Sequence, residues 1–135
     1  MIRGTLAIAK QVVSRQPKLF VLTLAGSAAI AAALLLPLAH GQEWQWLFNA
    51  AHVPAFFLAT LLWVTLFERA GVSFWLTCAA ALLIGGALAL ATEVAQYFIP
   101  HRWPDKRDLA LDVLGVLAAL LVYAAYAWHT RERDA

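Results

Sequence analysis

Four long runs of apolar residues dominate the pattern along the chain, and most polar positions lie between them. The runs cover residues 19–38, about 52–67, 74–98 and roughly 109–128. A helix of about 20 apolar residues crosses a hydrocarbon core of ~30 Å, so each run is long enough, the second only just. Because lipid offers no partner for backbone N–H and C=O groups, each run is predicted to be an α-helix.

The first 18 residues follow a different pattern, that of a short basic helix with one apolar face. The apolar positions are Ile2, Leu6, Ala9 and Val13. The helix is predicted to end near Pro17, since proline interrupts helical hydrogen bonding. A helix that lies in the membrane interface is the favoured interpretation. A helix that binds a partner protein is the alternative.

These elements predict an all-α, polytopic membrane protein: a compact bundle of four transmembrane helices with a short N-terminal interfacial helix. Residues 1–18 would form the basic amphipathic segment, 19–128 the membrane domain and 129–135 a cytoplasmic tail. Composition agrees, because 63% of residues are hydrophobic and only 13% are charged, far from the balance of a soluble domain. The first run is predicted to be a retained anchor, because it exceeds the about 7–15 apolar residues of a signal peptide.

Lysine and arginine are divided unevenly between the two predicted sides of the membrane. The side shared by both termini carries Arg3, Lys10, Arg15, Lys18, Arg69, Arg131 and Arg133. The other side carries Arg102, Lys106 and Arg107. The positive-inside rule therefore predicts cytoplasmic termini, and outward-facing loops at 99–108 and 41–49. Since the basic residues form no single stripe, nucleic-acid binding is not expected.

Small residues recur along one face of the third run. Ala81, Gly85 and Ala89 are each four residues apart, a spacing that lets membrane helices approach closely. The single cysteine, Cys78, lies within the same run and is predicted to be a small buried hydrophobe.

Polar side chains gather at the predicted outer ends of three spans. They are Asn49, His52, Glu93, Gln96, Asp108 and Asp112, and Arg102 lies in the loop that connects the third and fourth spans. Glu93 and Gln96 share one helix face, and Asp108 and Asp112 share another. A carboxylate within the hydrocarbon costs ~2.5–3.5 kcal/mol, and such residues usually mark a functional site. The structural alternatives are acids favoured at a helix N-terminus, weak ion pairs in solvent, or a buried clasp between the third and fourth spans.

The order and spacing of these residues resemble the VanZ-like family of small integral membrane proteins over roughly residues 45–125. The matching motifs are Asn49-x-x-His52 with Phe56 and Phe57, Glu93-x-x-Gln96-x-x-x-Pro100-x-Arg102, and Asp108-x-x-x-Asp112-x-x-Gly115. The family more often has asparagine at the position of Asp112, and often has an acidic residue followed by lysine where Asn49 and Ala50 stand. The resemblance implies a bundle of about four helices in the bacterial cytoplasmic membrane. It also implies a link to low-level resistance to teicoplanin, a lipid-tailed glycopeptide.

Two functions for the outer polar residues remain open at this point. In the first, a non-catalytic pocket binds a lipid head group, a lipid-linked envelope precursor or a lipoglycopeptide through Asn49, Gln96, Arg102, Asp108 and Asp112. A transporter-like oligomer is less favoured, because the spans show no internal repeat.

In the second, the protein is an enzyme acting on a lipid or lipid-linked substrate. Glu93 and His52 would be its acid–base pair, and Arg102 would hold a phosphate or carboxylate. A divalent cation, Mg²⁺ or Ca²⁺, is a possible cofactor, with Glu93, Asp108 and Asp112 as its candidate ligands.

Overall fold

The computed structural model describes residues 2–35, 45–99 and 105–133, which form five α-helices and, within these ranges, no β-strand. The helices are α1 (Ile2–Arg15), α2 (Pro17–Leu35), α3 (Gln45–Arg69), α4 (Phe74–Gln96) and α5 (Lys106–Arg133). Helices α2 to α5 each contain a stretch long and apolar enough to cross a membrane. The predicted all-α membrane fold is therefore confirmed, and the chain is a multi-pass membrane protein.

Helices α3 and α5 extend beyond the apolar runs that predicted them. Helix α3 begins at Gln45 rather than near residue 52, and α5 begins at Lys106 rather than near residue 109. Hydropathy detects only the part of a helix that is solvated by lipid, whereas helical hydrogen bonding continues into polar sequence. Asn49 consequently lies inside α3 and not in the predicted 41–49 loop.

Large apolar side chains cover the outside of the bundle. Trp75, Leu83, Leu90 and Leu121 are between 58% and 81% exposed. Several buried positions are instead small or polar; they include Thr23, Ser27, Thr60, Thr77 and Thr92. This distribution suits a bundle whose outer surface is solvated by lipid and whose helices meet through small and hydroxyl-bearing residues.

The stripe of small residues on α4 is the face along which this helix packs. Ala81, Gly85 and Ala89 are all buried. A Cβ atom at Gly85 would lie 2.8 Å from Cγ2 of Val116 on α5 and 3.3 Å from Oγ1 of Thr60 on α3. Close packing through this predicted stripe is thus observed, and it holds α4 against both neighbouring helices.

Helices α3 and α5 run in the same direction and make the most extensive helix–helix contact of the bundle. Gly115 allows this approach, because a Cβ atom there would overlap the backbone oxygen of Val53 and lie 3.0 Å from Cβ of Phe56. The backbones of α3 and α5 therefore touch at Gly115, and residues one turn earlier on each helix come into register.

Helix α1 is fastened to the C-terminal end of α3. The side-chain amide of Gln11 donates to the backbone oxygen of Ala70 at 2.9 Å, and that of Gln16 donates to the backbone oxygen of Arg69 at 3.2 Å. The last carbonyls of a helix lack partners within it. Side chains of the N-terminal segment thus supply some of the hydrogen bonds that the end of α3 needs.

The face by which α1 packs differs from its predicted apolar face. Val12 is buried and, with Ile8 beside it, packs against Leu66, whereas Leu6 and Val13 are exposed. The apolar residues of α1 therefore divide between two adjacent stripes. One contacts the bundle, and the other is the exposed stripe on which the interfacial prediction rests.

The bundle has two distinct ends. The guanidinium of Arg131, near the end of α5, lies 5.4 Å from the ring centroid of Phe74 at the start of α4. Since α1 docks on Ala70, this end holds α1, the α3–α4 turn and the last turns of α5. We call it the terminal end. The starts of α3 and α5 and the end of α4 form the opposite end, which we call the site end.

Candidate polar binding site

A cluster of polar side chains is buried at the site end, between three helices. Its members, the polar cluster below, are His52 of α3, Glu93 and Gln96 of α4, and Asp108 and Asp112 of α5. None is more than 7% exposed. All five were predicted from the sequence to lie at similar depth, and the fold brings them to one end of the bundle.

The imidazole of His52 lies between the two aspartates of α5. Its Nδ1 is 2.7 Å from Oδ1 of Asp112, a short hydrogen bond, and its Nε2 is 3.8 Å from Oδ2 of Asp108. Asp112 is fully buried, and a buried carboxylate without a partner is strongly unfavourable. The bond to His52 therefore accounts for how Asp112 is tolerated inside the bundle.

The register that pairs His52 with Asp112 follows from the close contact at Gly115. Asp108, Asp112 and Gly115 follow one another at helical spacing on the buried face of α5. His52 precedes Phe56 by one turn on the buried face of α3. Because α3 and α5 run in the same direction and touch at Gly115, the next turn toward the site end places His52 opposite Asp112.

Glu93 joins the end of α4 to the start of α5. Its Oε2 accepts a hydrogen bond at 3.0 Å from the backbone N–H of Asp105. Asp105 in turn caps α5, since its Oδ1 accepts from the backbone N–H of Arg107 at 2.8 Å, the usual bond of an N-cap aspartate. The carboxylate of Glu93 thus fixes the residue that caps α5.

The sequence interpretation missed the role of Asp105. An aspartate directly before a helix is a recognisable start signal, but the fourth span was predicted from residue 109, which placed Asp105 well inside a loop. Extending α5 back to Lys106 makes Asp105 its N-cap.

Within the part of the chain that the structure describes, three buried atoms of the polar cluster have no hydrogen-bond partner. They are Oε1 of Glu93, Nε2 of Gln96 and Oδ2 of Asp112. Gln96 lies one turn beyond Glu93 on the same buried face of α4. An unpaired buried polar atom costs about 1–3 kcal/mol. The cluster therefore presents two unused acceptors and one unused donor at a single end of the bundle.

Of the two remaining predicted site residues, the structure describes only Asn49. Asn49 is half-buried one turn before His52 on α3. Arg102 lies outside the residues that the structure describes. In the described ranges no three His, Cys, Asp or Glu side chains are placed to hold a metal ion. A divalent cation held by Glu93, Asp108 and Asp112 stays a prediction.

An apolar surface adjoins the polar cluster on α4. Tyr97 and Phe98, directly after Gln96, are 67% and 77% exposed, and their rings meet edge to face with centroids 5.5 Å apart. Val94, beside Glu93 in the chain, is 54% exposed. Buried polar atoms and exposed apolar side chains thus lie next to one another at the end of α4 and in the turn that follows it.

Four membrane-crossing helices with a buried acid–histidine cluster at one end define a polytopic membrane protein with an internal polar site. A model of the family described as VanZ/LLP1 matches residues 6–127. The chain therefore belongs to the VanZ/LLP1 family, which confirms the resemblance seen in the motifs and extends it to α1 and α2. Comparison with curated proteins and with solved structures gives no match for the chain.

Proposed function

We propose that this protein binds the polar head of an amphipathic molecule in the polar cluster. The ligand would be a membrane lipid, a lipid-linked envelope precursor or a lipoglycopeptide. Three buried atoms, on Glu93, Gln96 and Asp112, have no partner among the described residues, and they support this function. Buried polar groups in folded proteins nearly always have partners, so a molecule that supplies these partners would be held here.

A purely structural clasp between the helices explains only part of the cluster. A clasp accounts for the bond between His52 and Asp112 and for the bond from Asp105 to Glu93. It gives no reason for a donor and two acceptors to be buried without partners. A binding pocket does, because its polar atoms are satisfied when the ligand is bound.

The surroundings of the cluster favour a ligand with both a polar and an apolar part. The exposed apolar side chain of Val94 lies on the last turn of α4 with Glu93 and Gln96, and those of Tyr97 and Phe98 directly follow the helix. An acyl chain could lie against them while its head group reaches the cluster, at the depth where helix ends meet the membrane interface.

The cellular setting we propose follows from the charge pattern and the family. The distribution of Lys and Arg favours cytoplasmic termini and an outward-facing site end in the bacterial cytoplasmic membrane. Teicoplanin carries a lipid tail and acts on cell-wall precursors, so a site for lipid-tailed molecules is compatible with the resistance that the VanZ-like resemblance implies.

Native mass spectrometry of the detergent-purified protein tests this proposal. Wild type is expected to retain a lipid-sized adduct. Glu93→Gln should retain about tenfold less of it, because the variant removes a charged hydrogen bond worth ~1.5–3 kcal/mol. Glu68→Gln is the matched control, since Glu68 is an exposed glutamate in the last turn of α3, at the terminal end of the bundle. Equal adducts in all three proteins, or none in any after lipid addition, would contradict the proposal.

A lipid-modifying enzyme is the second candidate, and one contact favours it. Asp112 bonds Nδ1 of His52 and leaves Nε2 as the atom that can exchange a proton, an arrangement typical of a histidine oriented by a carboxylate for acid–base work. Glu93 would be the second acid–base group. If protein in vesicles of defined lipid produces no new lipid species on prolonged incubation while the bound lipid persists, binding without catalysis is favoured.

A further inference from the structure

The charges of the polar cluster restrict the ligands that can bind there. Glu93 and Asp112 are both buried at the site end, and Nδ1 of His52 lies 2.7 Å from Oδ1 of Asp112. Among the described residues His52 is the cation paired with Asp112, and it carries at most one positive charge. Among the described residues, the carboxylates of Glu93 and Asp112 then share one imidazolium, so within this part of the chain a positively charged group is favoured beside them.

The unpaired atoms restrict the ligand further. Oε1 of Glu93 and Oδ2 of Asp112 are acceptors, and Nε2 of Gln96 is a donor. A ligand that satisfies all three must donate at least two hydrogen bonds and accept one. Donors that carry positive charge form the stronger bonds with carboxylates.

We propose, resting on the function proposed above, that the head group is a primary ammonium with a neighbouring oxygen. The ammonium would donate to Glu93 Oε1 and Asp112 Oδ2, and the oxygen would accept from Gln96 Nε2. A two-carbon amino alcohol ester, the ethanolamine head of an aminophospholipid, has this combination of groups. No bond is made or broken in this binding.

Two other cations fit the cluster less well. A quaternary ammonium has the charge but no N–H, so it would leave both carboxylate oxygens unpaired. A divalent metal needs several ligands at short distance, and within the described ranges no three acidic, histidine or cysteine side chains are placed to supply them.

A methylation series of one lipid tests the proposal without changing the protein. Dioleoyl phosphatidylethanolamine, its N-methyl and N,N-dimethyl derivatives and dioleoyl phosphatidylcholine keep the same acyl chains and the same ammonium charge, while their N–H donors fall in number. We expect the affinity of the full-length protein, measured by native mass spectrometry, to fall along the series. The last lipid should bind about tenfold or more weakly than the first.

Free ethanolamine distinguishes the two sources of the same head group. If bound phosphatidylethanolamine is displaced by added phosphatidylethanolamine but not by ethanolamine, the site binds the lipid. If ethanolamine displaces it at a similar concentration, the site binds the soluble amine. Both results support recognition of a primary ammonium. Glu93→Gln should remove the preference for the unmethylated lipid, and Glu68→Gln should keep it.

Other outcomes would overturn the inference and separate it from the function on which it rests. Equal affinity across the methylation series, or Glu93-dependent preference for dioleoyl phosphatidylglycerol, would exclude ammonium recognition and leave a head-group site of another kind. Binding of every lipid that is unchanged by Glu93→Gln would overturn both the inference and the proposed function.

Discussion

Replacing Gly115 with alanine is expected to destabilise the bundle by about 3 kcal/mol, the upper part of the range for an overpacked core. The new Cβ would overlap the backbone oxygen of Val53 and approach Cβ of Phe56. These neighbours belong to the body of α3 and cannot turn aside as a flexible side chain could. The two helices must therefore separate, which also moves His52 away from Asp112. Reversible unfolding in mixed detergent micelles would measure the loss.

Gly86→Ala is the matched control for this substitution. Gly86 is also a helical glycine within a membrane span, but a Cβ atom there would meet nothing within 4 Å. Alanine is the better helix former by about 1 kcal/mol, so the control is expected to be neutral or slightly stabilising. Equal stability of the Gly115→Ala and Gly86→Ala proteins would refute the close contact between α3 and α5.

Asp112→Leu is expected to cost about 3–5 kcal/mol, the usual penalty for removing one partner of a buried ion pair. His52 would be left buried without the bond at its Nδ1. Asp112→Asn should cost much less, about 1 kcal/mol, because its amide oxygen can still accept that bond. Comparison of the two variants therefore distinguishes a requirement for the hydrogen bond from a requirement for the charge of Asp112.

A double-mutant cycle with His52→Leu measures the pairing directly. If the two side chains stabilise one another, the double variant Asp112→Leu, His52→Leu should lose less unfolding free energy than the two single variants lose together. The expected difference is about 0.5–3 kcal/mol. Strict additivity would mean that the 2.7 Å contact between His52 and Asp112 contributes no interaction energy.

The sequence predicted the features that depend on composition and on the period of a single helix. Four apolar runs identified four spans, since lipid demands helices of a minimum length. The spacing of Ala81, Gly85 and Ala89 identified the packing face of α4. The cost of charge in lipid identified Glu93 and Asp112, and both are buried at the site end.

Contacts between helices were beyond these arguments. The sequence placed Glu93 and His52 in one site, but it did not indicate that His52 bonds to Asp112 or that Glu93 accepts the N–H of Asp105. Residues on one helix share a face by periodicity, but partners on two helices depend on their relative register. That register is set by the contact at Gly115, and no single-helix pattern encodes it.

Helix ends were the other feature that the sequence did not determine. Hydropathy ended the second and fourth spans where polar residues begin, although α3 and α5 continue past that point. The extension of α5 explains why Asp105 acts as its cap and why Glu93, which accepts the N–H of Asp105, contributes to the architecture as well as to the site.

A ligand head group should complete the polar cluster, and a high-resolution structure in nanodiscs of native membrane lipids would show whether it does. We expect density that contacts Oε1 of Glu93, Nε2 of Gln96 and Oδ2 of Asp112 and continues into an acyl chain along Tyr97 and Phe98. Water molecules alone at these three atoms, or protein partners for all of them, would contradict the claim and identify the cluster as a structural clasp.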